Sequence, residues 1–184
     1  MTAPAAADGR GVLGLRELVM PVVIVAASEG VAGGGGATAC ATSTTSYVSV
    51  SPAILQVALR PDSKTAQMIG RTGAFSVSLL AAGQADLAQR AGRRSDRQDK
   101  MADVGIEPDP AADASGPPGV AGAAAVLWCT VTATMPVGDH LVIFGQVDAS
   151  RAAPAGVPLL LRHRRRYLSS GDPLSGLAQD GYPI

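Results

Sequence analysis

The segment from Val137 to Val147 reads V-G-D-H-L-V-I-F-G-Q-V, a polar Gly-Asp-His turn that leads directly into an apolar strand. It predicts a tight turn with one histidine, His140, at its tip and Asp139 beside it. A turn held against a β-sheet positions a titratable group rigidly, and such turns often carry function. His140 is therefore a candidate functional residue, and a histidine that only caps the turn is the alternative.

Short apolar segments recur along the rest of the chain and are separated by Gly, Pro and Ser. The segments typical of strands lie at or near 22–25, 38, 54–59, 74–80, 123–133, 141–149 and 157–161. The segments typical of helices lie at 12–19, 63–70 (closed by Gly70) and 84–91. Many short strands without regular β-α-β alternation favour a mainly β fold, an antiparallel barrel with helical insertions.

The remaining segments are interpreted as loops and tails. Residues 28–36 contain four consecutive glycines and predict a hairpin loop, without the G-x-G-x-x-G spacing of a phosphate loop. Residues 93–100 are interpreted as a solvated run of charges, and residues 106–122 as a long surface loop. We expect one domain over residues 12–168, between a tail at 1–11 and a C-terminal tail at 169–184.

Composition limits the classes of function. The chain has 184 residues, 47% of them hydrophobic, and a formal net charge of zero, which disfavours a dedicated nucleic-acid binder. No apolar run is long enough to cross a bilayer, and the N-terminus lacks the pattern of a signal peptide, so a cytoplasmic protein is expected. Cys40 and Cys129 show no metal-ligand spacing and are interpreted as buried free thiols. The aromatic-poor core of aliphatic residues favours an oligomer.

Two polar clusters are candidates for ligand binding. The first places six hydroxyl side chains within eight positions, at Thr42, Ser43, Thr44, Thr45, Ser46 and Ser49. Such hydroxyls suit a ligand rich in acceptors, and a polar edge strand is the alternative. The second cluster lies at the predicted start of a helix and contains Arg60, Ser63, Lys64 and Thr65. Free N–H groups, the helix dipole and a cation favour a phosphate site there, whereas capping alone explains only Ser63.

The order of these motifs resembles that of the flavin reductase family, whose members have the FMN-binding split β-barrel fold. The matching elements are Y-V-S-V-S-P at 47–52, R-x-x-S-x-T at 60–65, F-x-V-x-L-L at 75–80, D-L-A at 86–88, G-D-H at 138–140 with Gly145 beyond it, and a closing segment at 159–167. The resemblance covers about residues 15–167. Ala41, Thr45 and Ala91 depart from it, since the family usually has a threonine at the first position and aromatic residues at the other two.

The resemblance implies an NAD(P)H:flavin oxidoreductase that uses NADH or NADPH to reduce FMN or FAD and supplies reduced flavin to a partner flavin-dependent monooxygenase. It also implies a homodimer with flavin near the subunit interface. His140 would contact the nicotinamide or the flavin as the catalytic residue. The residues implied to bind the cofactor are Thr42, Ser43, Thr44, Ser49, Arg60, Ser63, Lys64, Thr65, Asp139 and Tyr167.

The sequence leaves three alternatives open. The weakened aromatic positions favour a non-catalytic protein that binds flavin or another small ligand on the same barrel. An oxidase of the pyridoxamine phosphate type on a related barrel fits the G-D-H element less well. The basic run at Arg162–Arg166 is a solvated surface strand or an anion site for the adenosine phosphates of NADPH or FAD.

Overall fold

A computed structural model describes residues 10–29, 36–93, 100–110 and 116–171. Within these ranges the strands are β1 (Met20–Pro21), β2 (Val23–Ser28), β3 (Ala37–Thr42), β4 (Thr45–Val50), β5 (Ala53–Leu59), β6 (Ala74–Leu79), β7 (Ala125–Val137), β8 (His140–Ala152), β9 (Leu160–His163) and β10 (Arg166–Ser169). The helices are α1 (Arg10–Leu15), α2 (Lys64–Thr72), α3 (Ala85–Ala91) and α4 (Lys100–Asp103), with a 3₁₀ turn at Ala82–Gln84. The prediction of a mainly β fold with helical insertions is confirmed.

Seven strands form one antiparallel sheet in the order β3-β2-β6-β7-β8-β5-β4. Its two edge strands, β3 and β4, are separated in sequence only by Ser43 and Thr44. The sheet must therefore curl until its edges meet, and the amide of Ala58 on β5 donates to the carbonyl of Thr44 at 2.9 Å across this junction. The result is a barrel closed by one kinked strand. A smaller sheet, β1-β9-β10, lies beside it.

Strand β2 is buried on both faces, which explains its uninterrupted aliphatic sequence. Ile24 and Ala26 belong to one apolar cluster with residues of α3, α4 and the loop after α4. Val23 and Val25 point the other way, into a second cluster with α2, β5 and Phe75. The barrel wall thus lies between two cores, and other elements cover it on both sides because β2 has no polar face.

The long hairpin of β7 and β8 contains the segment from Val137 to Val147. The tip of its turn is Gly138 and Asp139, and His140 is the first residue of β8, paired with Val137. Gly138 has a φ of 59°, a left-handed value that suits glycine at the first central position of a hairpin turn. The histidine is therefore held by the strand ladder at the base of the turn, and its predicted place at the tip is wrong.

Helix α2 continues beyond the predicted end at Gly70. It runs to Thr72, and Gly73, with a φ of 70°, caps it by donating its backbone N–H to the carbonyl of Ile69. Burial of Met68 and Ile69 against the barrel stabilises the last turn enough to keep a glycine inside the helix.

Two segments predicted to be solvated contain buried residues. Lys100 is 7% exposed, whereas the sequence predicts a solvated charge. Ile106 and Val120, at the two ends of the predicted surface loop, are buried in the cluster shared with β2. These predictions were wrong because α4 and the loop fold back over the barrel. Residues 1–9, the glycine run at 30–35, most of the charge run at 94–99, and residues 111–115 and 172–184 lie outside the described residues.

None of the helices in the described ranges is long and apolar enough to span a membrane. The two cysteines are free, as predicted, with Cys129 buried and Cys40 partly exposed. Burial raises the pKa of Cys129 to about 12, so its thiol stays protonated at neutral pH.

Candidate functional site

A cleft of about 400 Å³ lies where the barrel closes. It is bounded by the end of β3, the end of β5, the first turn of α2, the end of α3 and the start of α4. Its lining residues are Thr38, Cys40, Ala41, Thr42, Ala58, Leu59, Arg60, Asp62, Ser63, Lys64, Thr65, Ala91, Gly92, Arg93, Lys100 and His140. The predicted phosphate segment and the predicted functional histidine, which are about 80 residues apart in sequence, therefore share one cleft because β5 pairs with β8.

The first turn of α2 is built as the sequence predicts. Ser63 has extended backbone angles, and its hydroxyl oxygen accepts a hydrogen bond from the amide of Ala66 at 3.2 Å. This cap satisfies one of the amides that a helix start leaves unpaired, and the amides of this first turn form the positive end of the helix dipole. Lys64 is exposed, whereas Thr65 is buried and its hydroxyl lies 3.3 Å from that of Thr38 on β3. The helix start is thereby fixed to the barrel wall.

Arg60 is held by a neighbouring carboxylate. Its Nε and Nη2 donate to the two oxygens of Asp62, at 3.0 and 3.2 Å. This bidentate pair is exposed to solvent, so we expect it to contribute little stability. It does orient the guanidinium at the mouth of the cleft and offsets part of its charge. Arg60 is therefore less available to an anion than the sequence implies.

His140 is oriented by the residue before it. Its Nδ1 lies 2.8 Å from a carboxylate oxygen of Asp139, so Nδ1 donates and Nε2 is the nitrogen left for a ligand. The hydrogen bond from His140, followed by the charge of the imidazolium form, holds the pKa of Asp139 below its ordinary value. Asp139 is 84% exposed and does not line the cleft, so its action on a ligand would pass through His140.

Most hydroxyl side chains of the first predicted cluster form hydrogen bonds within the protein, where the barrel closes. The hydroxyl of Thr44 donates to the carbonyl of Ala58 at 2.6 Å, and that of Thr45 donates to the carbonyl of Gln56 at 2.9 Å. Thr42 accepts from the amide of Thr44 at 3.2 Å and is the one member of the cluster that lines the cleft. The polar edge strand thus accounts for most of these side chains.

Six of the predicted site residues are brought together in the cleft, namely Thr42, Arg60, Ser63, Lys64, Thr65 and His140. The other five do not line it. Ser43 is buried, Thr44 bonds to β5, Asp139 supports His140, Ser49 lies farther along the edge strand β4, and Tyr167 lies on β10 in the smaller sheet. Their roles toward a cofactor stay predictions.

The basic run is separate from the cleft. It forms the β9–β10 hairpin, with Arg164 and Arg165 in its turn at φ values of 47° and 66°. The guanidinium of Arg164 donates to both oxygens of Glu17, at 3.0 and 2.8 Å, and His163 lies 3.5 Å from the same carboxylate. The hydrogen bond and charge of Arg164 lower the pKa of Glu17. This run therefore anchors the segment after α1, and no residue of it lines the cleft.

Lys100 is a cleft residue that sequence reasoning missed. It is the first residue of α4, and its ammonium donates to the carbonyl of Ala91 at 2.8 Å. Burial lowers its pKa, and the nearby thiol of Cys40 opposes that effect. A lysine next to the apolar residue Met101, in a segment otherwise rich in charges, gives no signal that distinguishes it from its solvated neighbours.

The lining of the cleft combines positive charge with apolar walls, which suits an anionic ligand that also has an apolar part. Four cationic side chains and one carboxylate line it, at Arg60, Lys64, Arg93, Lys100 and Asp62. Small or aliphatic residues (Ala41, Ala58 and Leu59) supply apolar walls. Among the described residues, no group of three or more His, Cys, Asp or Glu side chains is arranged to hold a metal ion.

Comparison with known sequences gives a consistent family match. The Flavin reductase like domain matches residues 15–170. The chain is 29% identical over 172 residues to the NADH-dependent FMN reductase AsuE2 of Streptomyces nodosus subsp. asukaensis, with 94% of this chain and 89% of that protein covered. It is 34% identical over 122 residues to the actinorhodin polyketide dimerase of Streptomyces coelicolor, which covers 65% of this chain and 66% of that protein.

Solved structures share the fold. The nitrilotriacetate monooxygenase component B homolog from Mycobacterium thermoresistibile superposes with a TM-score of 0.77 at 25% identity, over 98% of both chains. The NADH:FAD oxidoreductase SgcE6 of Streptomyces globisporus also gives a TM-score of 0.77, at 21% identity, over 94% of this chain and 99% of that one. The expected split-barrel architecture is confirmed.

Proposed function

The chain belongs to the flavin reductase-like domain family, and on that basis we propose that it catalyses the NAD(P)H-dependent reduction of FMN or FAD. The observation that carries the proposal is the cleft, in which the capped start of α2, apolar walls and His140 face one space. The names of relatives agree with it, since one is an NADH-dependent FMN reductase and another is the reductase subunit HsaB of a flavin-dependent monooxygenase in Mycobacterium tuberculosis.

Each residue has a distinct part in this proposal. The amides of the first turn of α2, with Ser63 and Lys64, hold the flavin phosphate. Thr42 offers its hydroxyl to the edge of the flavin ring. His140, oriented by Asp139, presents Nε2 beside the nicotinamide. Hydride transfer between the two rings is chemistry that the cofactors supply, and the protein stacks and aligns them.

Reduced flavin leaves for a partner flavin-dependent monooxygenase, and the protein works in the cytoplasm as a homodimer. Several apolar side chains support the dimer because they are about half exposed or more on edge strand β4 and near the tip of the β7–β8 hairpin, at Tyr47, Val48, Val50, Met135 and Val137. Sedimentation of the purified protein at micromolar concentration tests this. A fully active monomer would contradict it.

A second candidate function is non-catalytic flavin binding on the same barrel. It is favoured by Ala91, which lines the cleft at a position where the resemblance expects an aromatic ring. Without that ring, a bound flavin has less surface on which to stack.

An assay of NADH and NADPH oxidation separates the two functions. The purified protein is mixed with each nicotinamide, with and without added FMN or FAD, and the loss of the reduced-nicotinamide absorbance is followed. Turnover that depends on added flavin is expected. Arg165→Ala, which changes the hairpin turn outside the cleft, is the control that should keep wild-type turnover. Flavin binding without turnover would contradict the reductase function and favour the non-catalytic binding function.

A further inference from the structure

A second surface of the molecule, none of whose residues lines the cleft, concentrates positive charge. It consists of residues 16–19 and the β9–β10 hairpin, and we name it the hairpin face. The two parts are joined by the ion pair of Arg164 with Glu17 and by the hydrogen bond from the amide of Arg164 to the carbonyl of Arg16, at 3.3 Å. Among the described residues, Glu17 is the one carboxylate that forms an ion pair on this face. The other exposed cations of the face are Arg16, Arg162, Arg165 and Arg166.

The turn of the hairpin places arginines where the backbone favours glycine. Arg164 and Arg165 are its two central residues, and both have a positive φ, of 47° and 66°. A two-residue turn of this kind favours asparagine and glycine, because a Cβ is strained at positive φ. The bidentate contact with Glu17 compensates for this strain at Arg164. The side chain of Arg165 is exposed and forms no ion pair with a described residue, and strain that is kept without such a contact is typical of functional sites.

Apolar side chains and an open sheet edge adjoin this charge. Leu18, Val19, Tyr167 and Leu168 are between 40% and 57% exposed. Strand β10 is the outermost strand of the smaller sheet, and no described strand pairs with its other side. Backbone N–H and C=O groups along such an edge can pair with an added strand. Exposed arginine and tyrosine beside apolar groups are typical of protein interfaces.

These three features together favour one kind of occupant. A second copy in a symmetric dimer would place the same arginines opposite one another, because a twofold interface pairs a patch with itself. Nucleic acid would supply phosphates for the arginines but no apolar partner for the leucines and the valine. A lipid bilayer would leave the backbone edge of β10 without hydrogen-bond partners. An extended protein segment with carboxylates and apolar side chains satisfies the charge, the apolar groups and the edge.

We propose that the hairpin face binds an extended acidic segment of a partner protein, which adds to β10 as a further strand. The carboxylates of the segment pair with Arg162, Arg165 and Arg166, and bidentate arginine–carboxylate pairs fix its register on the strand. Its apolar side chains cover Tyr167 and Leu168. The inference is independent of the proposed function, since the face and the cleft share no residue.

Selection from a random-peptide display library tests this proposal. The library is first depleted on the Arg165→Glu/Arg166→Glu double variant, so that the peptides retained on the wild-type protein depend on the hairpin face. We expect the retained peptides to be rich in Asp and Glu and to contain apolar residues between them. No retained peptide, or retained peptides without acidic enrichment, would overturn the proposal. If the double variant does not fold, Arg165→Gly/Arg166→Gln takes its place.

The affinity of one retained peptide, measured by fluorescence anisotropy, separates binding from folding. We expect Arg165→Gly to weaken binding about fivefold. Its melting temperature should hold or rise, because glycine relieves the strain at a φ of 66°. Arg71→Gln is the control, since it removes an exposed charge at the end of α2, and it should change the affinity less than about twofold. Equal losses in the two variants, or a fall in the melting temperature of Arg165→Gly, would refute the site.

Three further measurements test the other occupants. Sedimentation should give the same oligomeric state for the wild type and the double variant, and a change would show that a second copy covers the hairpin face. A chain that ends at Gly171 should bind the peptide as the full chain does, and tighter binding would show that residues 172–184 occupy the face. Vesicles of phosphatidylcholine with phosphatidylserine, and a short DNA duplex, should not bind. Binding of either one that is lost in the double variant would contradict a protein partner.

Discussion

Replacement of Gly145 by alanine tests how the barrel accommodates its central aromatic residue. Gly145 lies on β8, opposite Leu55 on β5 and Val131 on β7. A Cβ added there would stand 2.5 Å from Cζ and 2.6 Å from Cε1 of Phe75, and 2.9 Å from Cβ of Cys129. The ring of Phe75 is completely buried, so it has no free space into which to turn.

The magnitude follows from these distances. To restore an ordinary contact of 3.4 Å, the ring must retreat by about 0.9 Å within a close-packed cluster. Overpacking of this kind costs about 3 kcal/mol of folding free energy. The final glycine of the G-D-H-x-x-x-x-G element is thus explained by the close passage of an aromatic ring over the strand.

Urea unfolding followed by the fluorescence of Trp128, the only tryptophan, measures the effect. Gly70→Ala is the control with the opposite sign. Its Cβ would meet nothing within 4 Å, and it lies inside α2, so we expect it to stabilise the protein by about 0.5–1 kcal/mol. In a Phe75→Leu background, the cost of Gly145→Ala should fall by about half, because the contact with the ring is removed and the contact with Cβ of Cys129 remains. The same cost in both backgrounds, or a cost no larger than about 0.5 kcal/mol in the wild type, would refute the reasoning.

Three further predictions concern single side chains. Arg151→Met should lower the free energy of unfolding by about 2 kcal/mol in the same urea experiment, because it removes the charge-assisted hydrogen bond that the guanidinium donates to the carboxylate of Asp109, which is 3% exposed. Cys129 should resist thiol reagents in the native protein at mildly alkaline pH. Folding raises the pKa of Cys129 from 9.0 to about 12, so between these two pH values the native state holds more protons than the unfolded state. The free energy of unfolding should therefore fall as the pH rises from 9.0 to about 12. His140→Ala should lower kcat/KM with NAD(P)H by about 5- to 30-fold while flavin affinity and melting temperature hold; a loss of stability with unchanged kinetics would leave His140 as a turn residue.

The sequence was a good guide wherever a local rule acts. The aliphatic segment of β2 and the alternating segment of β6 could be predicted as strands from the sequence. Side-chain packing on a pleated surface favours β-branched and aromatic residues, which both segments contain. Ser63 is the cap of α2, as expected, since a hydroxyl before a helix satisfies a free amide in any context. The ordered motifs identified the family because each is short and local, and their order does not depend on how the chain folds.

The tertiary structure decided what no local rule could. Which face of a strand meets the cleft depends on how the sheet curls, so Thr42 lines the cleft whereas Ser49, on the continuation of the same kinked strand, does not. The end of α2 depends on burial against the barrel, which outweighs the helix-breaking tendency of Gly70. Lys100 has the same chemistry as a surface lysine, and only the packing of α4 on β3 buries it beside the cleft. Burial and convergence are properties of contacts between segments far apart in sequence, and for that reason the sequence determined the fold class and the family, whereas the folded chain determined which residues meet at the site.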